Sequence, residues 1–346
     1  MGNPGRSFTS GVSSTPNGSG DTLPSYDLLD QSSVWTPEIE SLVHVVVKQI
    51  RLDSPGMLVI GRQRIGKSKA LGFLQGVLAE EVGYPIMVLS WTIADDDRRS
   101  GRLFLQDRLR QSGTDAITHR DLAVLRSRLI SHIRAEAAHI GTKRVAFFVD
   151  EAHILTDPEY AQMLFLFNEM ERYALRPFFL LVGQPELSDV KGRWLASGKF
   201  QNIGRFATKT HEYSGVRLEE LERVLIGFDD ESENGELSVA NKIAPKAFSL
   251  GWRLFSWAPI MVTAVRSVAL AQNITDDVRI PMQYLRSWLL ALLYHITQTG
   301  IDPRNLGLPA VIDCLKSTNF ATVLQYYVEV RDEKQKDEKA KKVQST

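Results

Sequence analysis

The stretch "GRQRIGKS", residues 61–68, sets two glycines, a lysine and a hydroxyl residue at the spacing G-x-x-x-x-G-K-S. Each residue type has a chemical reason to be there. Gly61 and Gly66 let backbone amides approach an anion with no Cβ in the way. Lys67 brings positive charge, and the Ser68 hydroxyl is a hard oxygen ligand for a divalent cation. With Arg62, Gln63, Arg64, Ile65 and the following Lys69, these residues would cradle the phosphates of a nucleotide. Chance produces the pattern about once in a hundred chains of this length. Its setting strengthens the reading. The apolar run "MLVI" precedes it and the helical pattern "GKSKALGFLQGVLAEEVG" follows, so a helix N-terminus would face the anion.

The second half of such a site is an acid at the end of a buried strand, and "VAFFVDEAH" supplies it. Asp150 is placed to share magnesium with Ser68, and Glu151 to polarise an attacking water. Together the two motifs predict a nucleoside triphosphatase. The run "DEAH" also occurs in helicases, but those need a second RecA-like lobe. After His153 the chain offers a helix, one strand and then helices. Gln184, at the tip of the strand "PFFLLVG", is placed to sense the γ-phosphate or the water.

The elements that must position these groups alternate. Apolar runs of strand length ("MLVI", "PIMVLSW", "RVAFFVD", "PFFLLVG") are separated by amphipathic helical patterns. That alternation predicts an α/β fold, a parallel sheet covered on both faces in an αβα sandwich. From residue 216 the patterns read as helices throughout, a smaller all-helical domain. The expected organisation is a Gly/Ser/Pro-rich disordered tail at 1–27, a nucleotide-binding α/β domain at 28–215, the helical domain at 216–328 and a charged tail at 329–346.

Bulk properties bound the partners. The 346 residues are 43% hydrophobic with a formal net charge of zero, so no global field draws the chain to nucleic acid. One cysteine, Cys314, excludes a disulfide framework and suits a reducing compartment. The N-terminal segment has no signal-peptide core, and Arg6 breaks the myristoylation pattern. The longest apolar stretch in the sequence, "SWLLALLYHI", is too short to cross a bilayer. A cytoplasmic protein with no membrane partner is expected. His119, His132 and His139 lack metal-ligand spacing; His153 reads as structural, and Cys314 as a core residue.

"GRQRIGKS", "VAFFVDEAH" and "LLVGQPEL", followed by an arginine in "QNIGRFATKTHEYSG", resemble the AAA+ ATPases of the TniB/TnsC type, which regulate target choice in DNA transposition. A secretion-associated ATPase group is closely similar. The resemblance covers residues 30 to 290 and implies an AAA+ ATPase using ATP and Mg2+ that assembles as a homo-oligomeric ring or filament. In such assemblies an arginine after the sensor strand acts on the neighbouring subunit's nucleotide, which points to Arg205 and secondarily to Arg193. An arginine of the helical lid contacts the nucleotide from the same subunit, which points to Arg253. The resemblance further implies double-stranded DNA, transposase and target-selection proteins as partners, the ATP-bound assembly marking a target and hydrolysis dissolving it. A secretion- or membrane-associated ATPase acting on protein complexes, a non-hydrolysing scaffold and a replication-type DNA loader are the competing readings.

One segment gives the DNA expectation a residue-level basis. Nine arginines fall between positions 98 and 134, against three aspartates. Arg98, Arg99, Arg102 and Arg120 flank helix ends, where they could reach a phosphate backbone without reading sequence. Arg126, Arg128 and Arg134 sit on a helix whose outer face they could simply solvate.

Overall fold

A computed structural model of the chain describes residues 34–95, 100–114, 118–230, 237–274 and 278–327. The expected tails at 1–27 and 329–346 lie outside these residues. The chain divides into two compact units, one of residues 39–213 and one of residues 214 onward joined by the segment up to 38.

The first unit runs α1 (Pro37–Arg51), β1 (Gly56–Ile60), α2 (Lys67–Val82), β2 (Met87–Thr92), α3 (Gly101–Gln111), α4 (Leu122–Ile140), β3 (Arg144–Asp150), α5 (Asp157–Arg172), β4 (Arg176–Gly183), α6 (Glu186–Ala196), α7 (Phe200–Phe206) and β5 (Thr210–Glu212). Its sheet has the order β2-β3-β4-β1-β5, and every pairing is parallel. The strands read as unbroken apolar runs because both faces are covered. On β3 and β4, Val145, Phe147, Val149, Phe179 and Leu181 join one core with buried residues of α3 to α7. The alternate residues Ala146, Phe148, Phe178, Leu180 and Val182 are equally buried, and they lie outside that cluster, as do the buried residues of α1 and α2. Phe147 and Phe179 stack across neighbouring strands with ring centroids 4.5 Å apart.

Helix ends follow local chemistry. The Asp121 carboxylate accepts from the Ala123 N–H to start α4, which stops at Gly141 with φ 75°. Glu159 reaches back to accept from the Thr156 N–H at 2.8 Å at the start of α5. The strand "THE" (β5) has no apolar run, so the sequence pattern passes it over. It is a short edge strand hydrogen-bonded to β1.

The second unit contains β6 (Val216–Arg217), α8 (Leu221–Asp229), α9 (Val239–Ile243), α10 (Pro245–Ser249), α11 (Ala258–Ala271), β7 (Arg279–Ile280), α12 (Met282–Thr299) and α13 (Leu308–Ser317). It is therefore not all helical: β6 and β7 pair antiparallel through two rungs. Gly215 permits this close approach, since a Cβ there would stand 2.6 Å from the Ile280 carbonyl oxygen. Among the described residues, Leu254–Ala271 has the length and apolarity of a membrane helix, which the sequence analysis passed over. Leu254, Trp257, Met261, Ala264 and Val265 bury its inner face in the core of this unit.

Candidate nucleotide site

β1 ends at Ile60, and the next six residues turn back on themselves before α2 begins at Lys67. Two positions force the shape. Gly66 has φ 105°, and Arg64 sits in the left-handed region at φ 62°, a conformation a non-glycine residue adopts at a cost of about 1–3 kcal/mol. Gly61 is closed in from the other side. A Cβ there would collide with the Tyr213 carbonyl oxygen and with Ile65 Cδ1, so no larger residue fits. No side chain caps the first turn of α2, which leaves its backbone N–H groups turned to the loop.

Within this loop Lys67 is buried, and its Nζ donates to the carbonyls of Gly61 and Arg62, both at 2.7 Å. Burial lowers its pKa below the ordinary lysine value, opposed by the charges of Glu151, Asp150 and Glu186. An ammonium held this way is a cation short of counter-charge, which is what an incoming phosphate would supply. Ser68 Oγ donates to Asp150 Oδ2 at 2.6 Å, while Asp150 Oδ1 accepts from the Glu151 N–H at 2.9 Å. A hydroxyl and a carboxylate in direct contact beside a phosphate-shaped loop form a donor set suited to magnesium. The residues therefore fit ATP and Mg2+.

The strand order explains the rest of the constellation. β4 lies between β1 and β3, so Gln184, one residue past β4, falls between the cradle and the acid. Gln63 Nε2 donates to Gln184 Oε1 at 2.9 Å. Glu151 adopts φ 57°, and its Oε2 stands 3.4 Å from His153 Nδ1. Sequence reasoning gives His153 no part in this group. The signal that could have found it is its place two residues after the glutamate, on the turn that crosses toward β4.

Three solved structures share this architecture. The chain is similar to the Aeropyrum pernix ORC2 protein in its ADPNP–ADP complexes, with a TM-score of 0.55 and 14% identity over 81% of this chain and 67% of that one. The ADP form of the same protein gives 0.52 and 15%, with the same coverages. CDC6P from Pyrobaculum aerophilum gives 0.50 and 12%, over 78% of this chain and 64% of that one. The fold is the AAA+ fold. No protein-family model and no curated protein matches the sequence.

On this AAA+ fold the other candidate residues fall in separate places. Arg205 lies on α7, and a Cβ on Gly56 would stand 2.6 Å from its carbonyl oxygen. It is thus at the beginning of β1, whereas the cradle is at the end. That strand length, about 16 Å, is beyond an arginine's reach, so Arg205 does not join the cradle of its own chain. Its guanidinium pairs with Glu171 at 3.2 Å and lies 4.4 Å from the Phe167 ring. Arg193, on α6, is exposed. Arg253 belongs to the helical unit, where it donates to the carbonyls of Phe248 and Trp252 and covers the Phe248 ring. Asp229 fixes the backbone beside it by accepting from the N–H groups of Leu254 and Phe255.

The arginine-rich segment is not one basic surface. Arg98 and Arg99 lie outside the described residues. Arg102, in the first turn of α3, and Arg120, just before α4, are exposed. Arg108 is buried against the rings of Trp91 and Phe104, bonded to Asp107 and to the Thr92 carbonyl. Arg110 pairs with Asp107. Arg126 and Arg134 lie over Phe165 and Tyr173. Among the described residues no group of three or more His, Cys, Asp and Glu gathers to hold a metal.

Proposed function

We propose that the protein is an ATP-binding, magnesium-dependent ATPase whose nucleotide state controls its assembly on double-stranded DNA. The observation carrying this reading is the Ser68–Asp150 contact of 2.6 Å at the end of the cradle, with Glu151 next in the chain. Lys67 neutralises charge on the β- and γ-phosphates, and Ser68 and Asp150 hold magnesium. Held there, magnesium would offset the negative charge on the phosphate oxygens. Glu151 takes a proton from the water that attacks the γ-phosphorus as the bond to the β–γ bridging oxygen breaks. Gln184 senses whether the γ-phosphate is present. Arg205 acts on the site of a neighbouring subunit.

The finer reading is a regulator of DNA transposition, in which the ATP-bound ring or filament marks a target and recruits transposase. It is supported by the resemblance of the three motifs to the TniB/TnsC type. A second reading, a DNA loader in replication, draws on the likeness to ORC2 and CDC6P. Electron microscopy of the purified chain with duplex DNA, with and without a non-hydrolysable ATP analogue, tests the shared part. Rings or filaments that require both ligands are expected. Rings formed by nucleotide alone and indifferent to DNA would sink the DNA reading. Binding assays with a transposase and with a replicative helicase then separate the two roles.

A further inference from the structure

Three residues past Asp150 the chain brings His153 over the end of β4. A 3-10 turn, Ala152–Ile154, carries it there, and Gly183 leaves the space. A Cβ on Gly183 would stand 3.0 Å from the His153 backbone nitrogen and 3.3 Å from its Cβ. The ring's Nδ1 then has two neighbours. The Gln184 backbone N–H donates to it at 3.4 Å, and Glu151 Oε2 stands at the same distance.

These neighbours make opposite demands. The N–H needs a lone pair on Nδ1, and the carboxylate needs a proton there. One nitrogen carries one or the other, so only one contact is a hydrogen bond at a time. In the observed arrangement Glu151 Oε2 is buried and accepts no hydrogen bond, in keeping with a lone pair directed to Gln184. The Gln184 side chain is in turn bonded to Gln63 of the cradle. Neighbouring groups therefore run from the cradle through Gln184 and His153 to Glu151, hydrogen-bonded at each step but the last.

We infer that His153 is a positioning residue that couples the sensor Gln184 to Glu151. With the proton on Nε2, the ring binds the Gln184 amide and leaves the Glu151 carboxylate free to receive a proton from water. With the proton on Nδ1, the ring holds Glu151 and lets the Gln184 amide go. A shift of Gln184 in response to nucleotide is thereby converted into a change in the freedom of Glu151. The inference rests on the ATPase reading above and adds to it a control on when the carboxylate acts.

The test uses the full chain with ATP and magnesium, with and without duplex DNA, and compares wild type, His153→Ala, His153→Asn, Gln184→Ala and the Ala double variant. In His153→Ala, kcat should fall about tenfold, less than the ~10²–10⁴ that the general base itself contributes, because the base is still present, while nucleotide affinity stays within about twofold. His153→Asn, whose amide can donate or accept near the Nδ1 position, should recover most of the loss. The effects of His153→Ala and Gln184→Ala should be less than additive, since both cut one path. A readout independent of turnover is the Nδ1 resonance of His153 in 15N-histidine-labelled protein, assigned by its loss in His153→Asn. It should change between lone-pair and protonated character when a non-hydrolysable ATP analogue and magnesium are added. If wild type shows Lys67-dependent hydrolysis but His153→Ala matches it and the resonance ignores nucleotide, the coupling alone is overturned. Loss of kcat and affinity together, without rescue by asparagine, overturns it as well. If folded wild type neither binds nor hydrolyses ATP, the underlying reading fails first. Should His153→Ala unfold, His153→Asn and the resonance decide.

Discussion

For Lys67, stability and the proposed phosphate binding pull in opposite directions. Its ammonium is buried against two backbone carbonyls, and burial lowers its pKa. A folded-state pKa below the unfolded one means that folding releases protons as pH rises between the two values. The penalty is complete below the folded pKa and is relieved on approach to 10.5. Lys67→Met should therefore melt no lower than wild type at neutral pH, and the gap should narrow as pH climbs. The same variant should lose the rise in melting temperature that ATP analogues give wild type. Destabilisation at neutral pH would refute the stability argument, and a retained shift would refute the binding one. Glu151 makes the complementary case. Glu151→Gln should keep nucleotide affinity and lower turnover by about 10²–10⁴; undiminished turnover would remove Glu151 from its proposed role.

At the scale of elements, the turn that carries Arg253 depends on Asp229. Its buried carboxylate accepts from Leu254 N at 2.8 Å and Phe255 N at 2.9 Å. Asp229→Ala would leave both donors without a partner, a cost of about 1–3 kcal/mol, readable as a lower midpoint in urea unfolding. Asp229→Asn, which keeps one acceptor, should lose less. Equal midpoints for Asp229→Ala and wild type would show that the turn stands without this cap. Strand β1 has a similar dependence on Gly56, where a Cβ would meet the carbonyl oxygens of Arg205 and Phe179 at 2.6 and 2.7 Å. Both are backbone atoms of packed elements and cannot swing aside.

For the whole molecule, the distance from Arg205 to its own cradle is the deciding quantity. An arginine one strand length away assists hydrolysis only if another copy presents its site. Arg205→Ala and Lys67→Ala should each be inactive alone, and a mixture should regain activity, because a sound site then meets a sound arginine at some interfaces. A mixture as inactive as its parts would rule out action between subunits through Arg205. The ion pair with Glu171 is no obstacle, since an exposed pair of this kind contributes about 0–1 kcal/mol. DNA binding has its own whole-molecule test. Replacing Arg102 or Arg120 by alanine should weaken affinity for all duplexes alike. It should also flatten the salt dependence by about one unit for each phosphate the protein then leaves un-neutralised. Arg108→Ala should instead destabilise the fold, because that buried side chain packs against Trp91 and Phe104.

What the sequence determined by itself is what covalent spacing and local periodicity encode. The G-x-x-x-x-G-K-S loop lies within eight residues. The four long strands announce themselves as apolar runs because both faces of the sheet are covered. β5 escaped because an edge strand of three polar-leaning residues has little to bury, and the β6–β7 pair because two rungs leave no period to read. The tertiary structure alone decided which distant residues meet. Ser68 and Asp150 are 82 positions apart, and Gln63 and Gln184 are 121 apart; they touch because the strand order places β4 between β1 and β3. The same packing buried Arg108 out of a run of arginines and set Arg205 at the far end of β1. It also turned His153 back onto Gln184 and Glu151. Charge and motif are properties of the chain, but burial and distance belong to the fold, since they depend on which surfaces the hydrophobic core brings together.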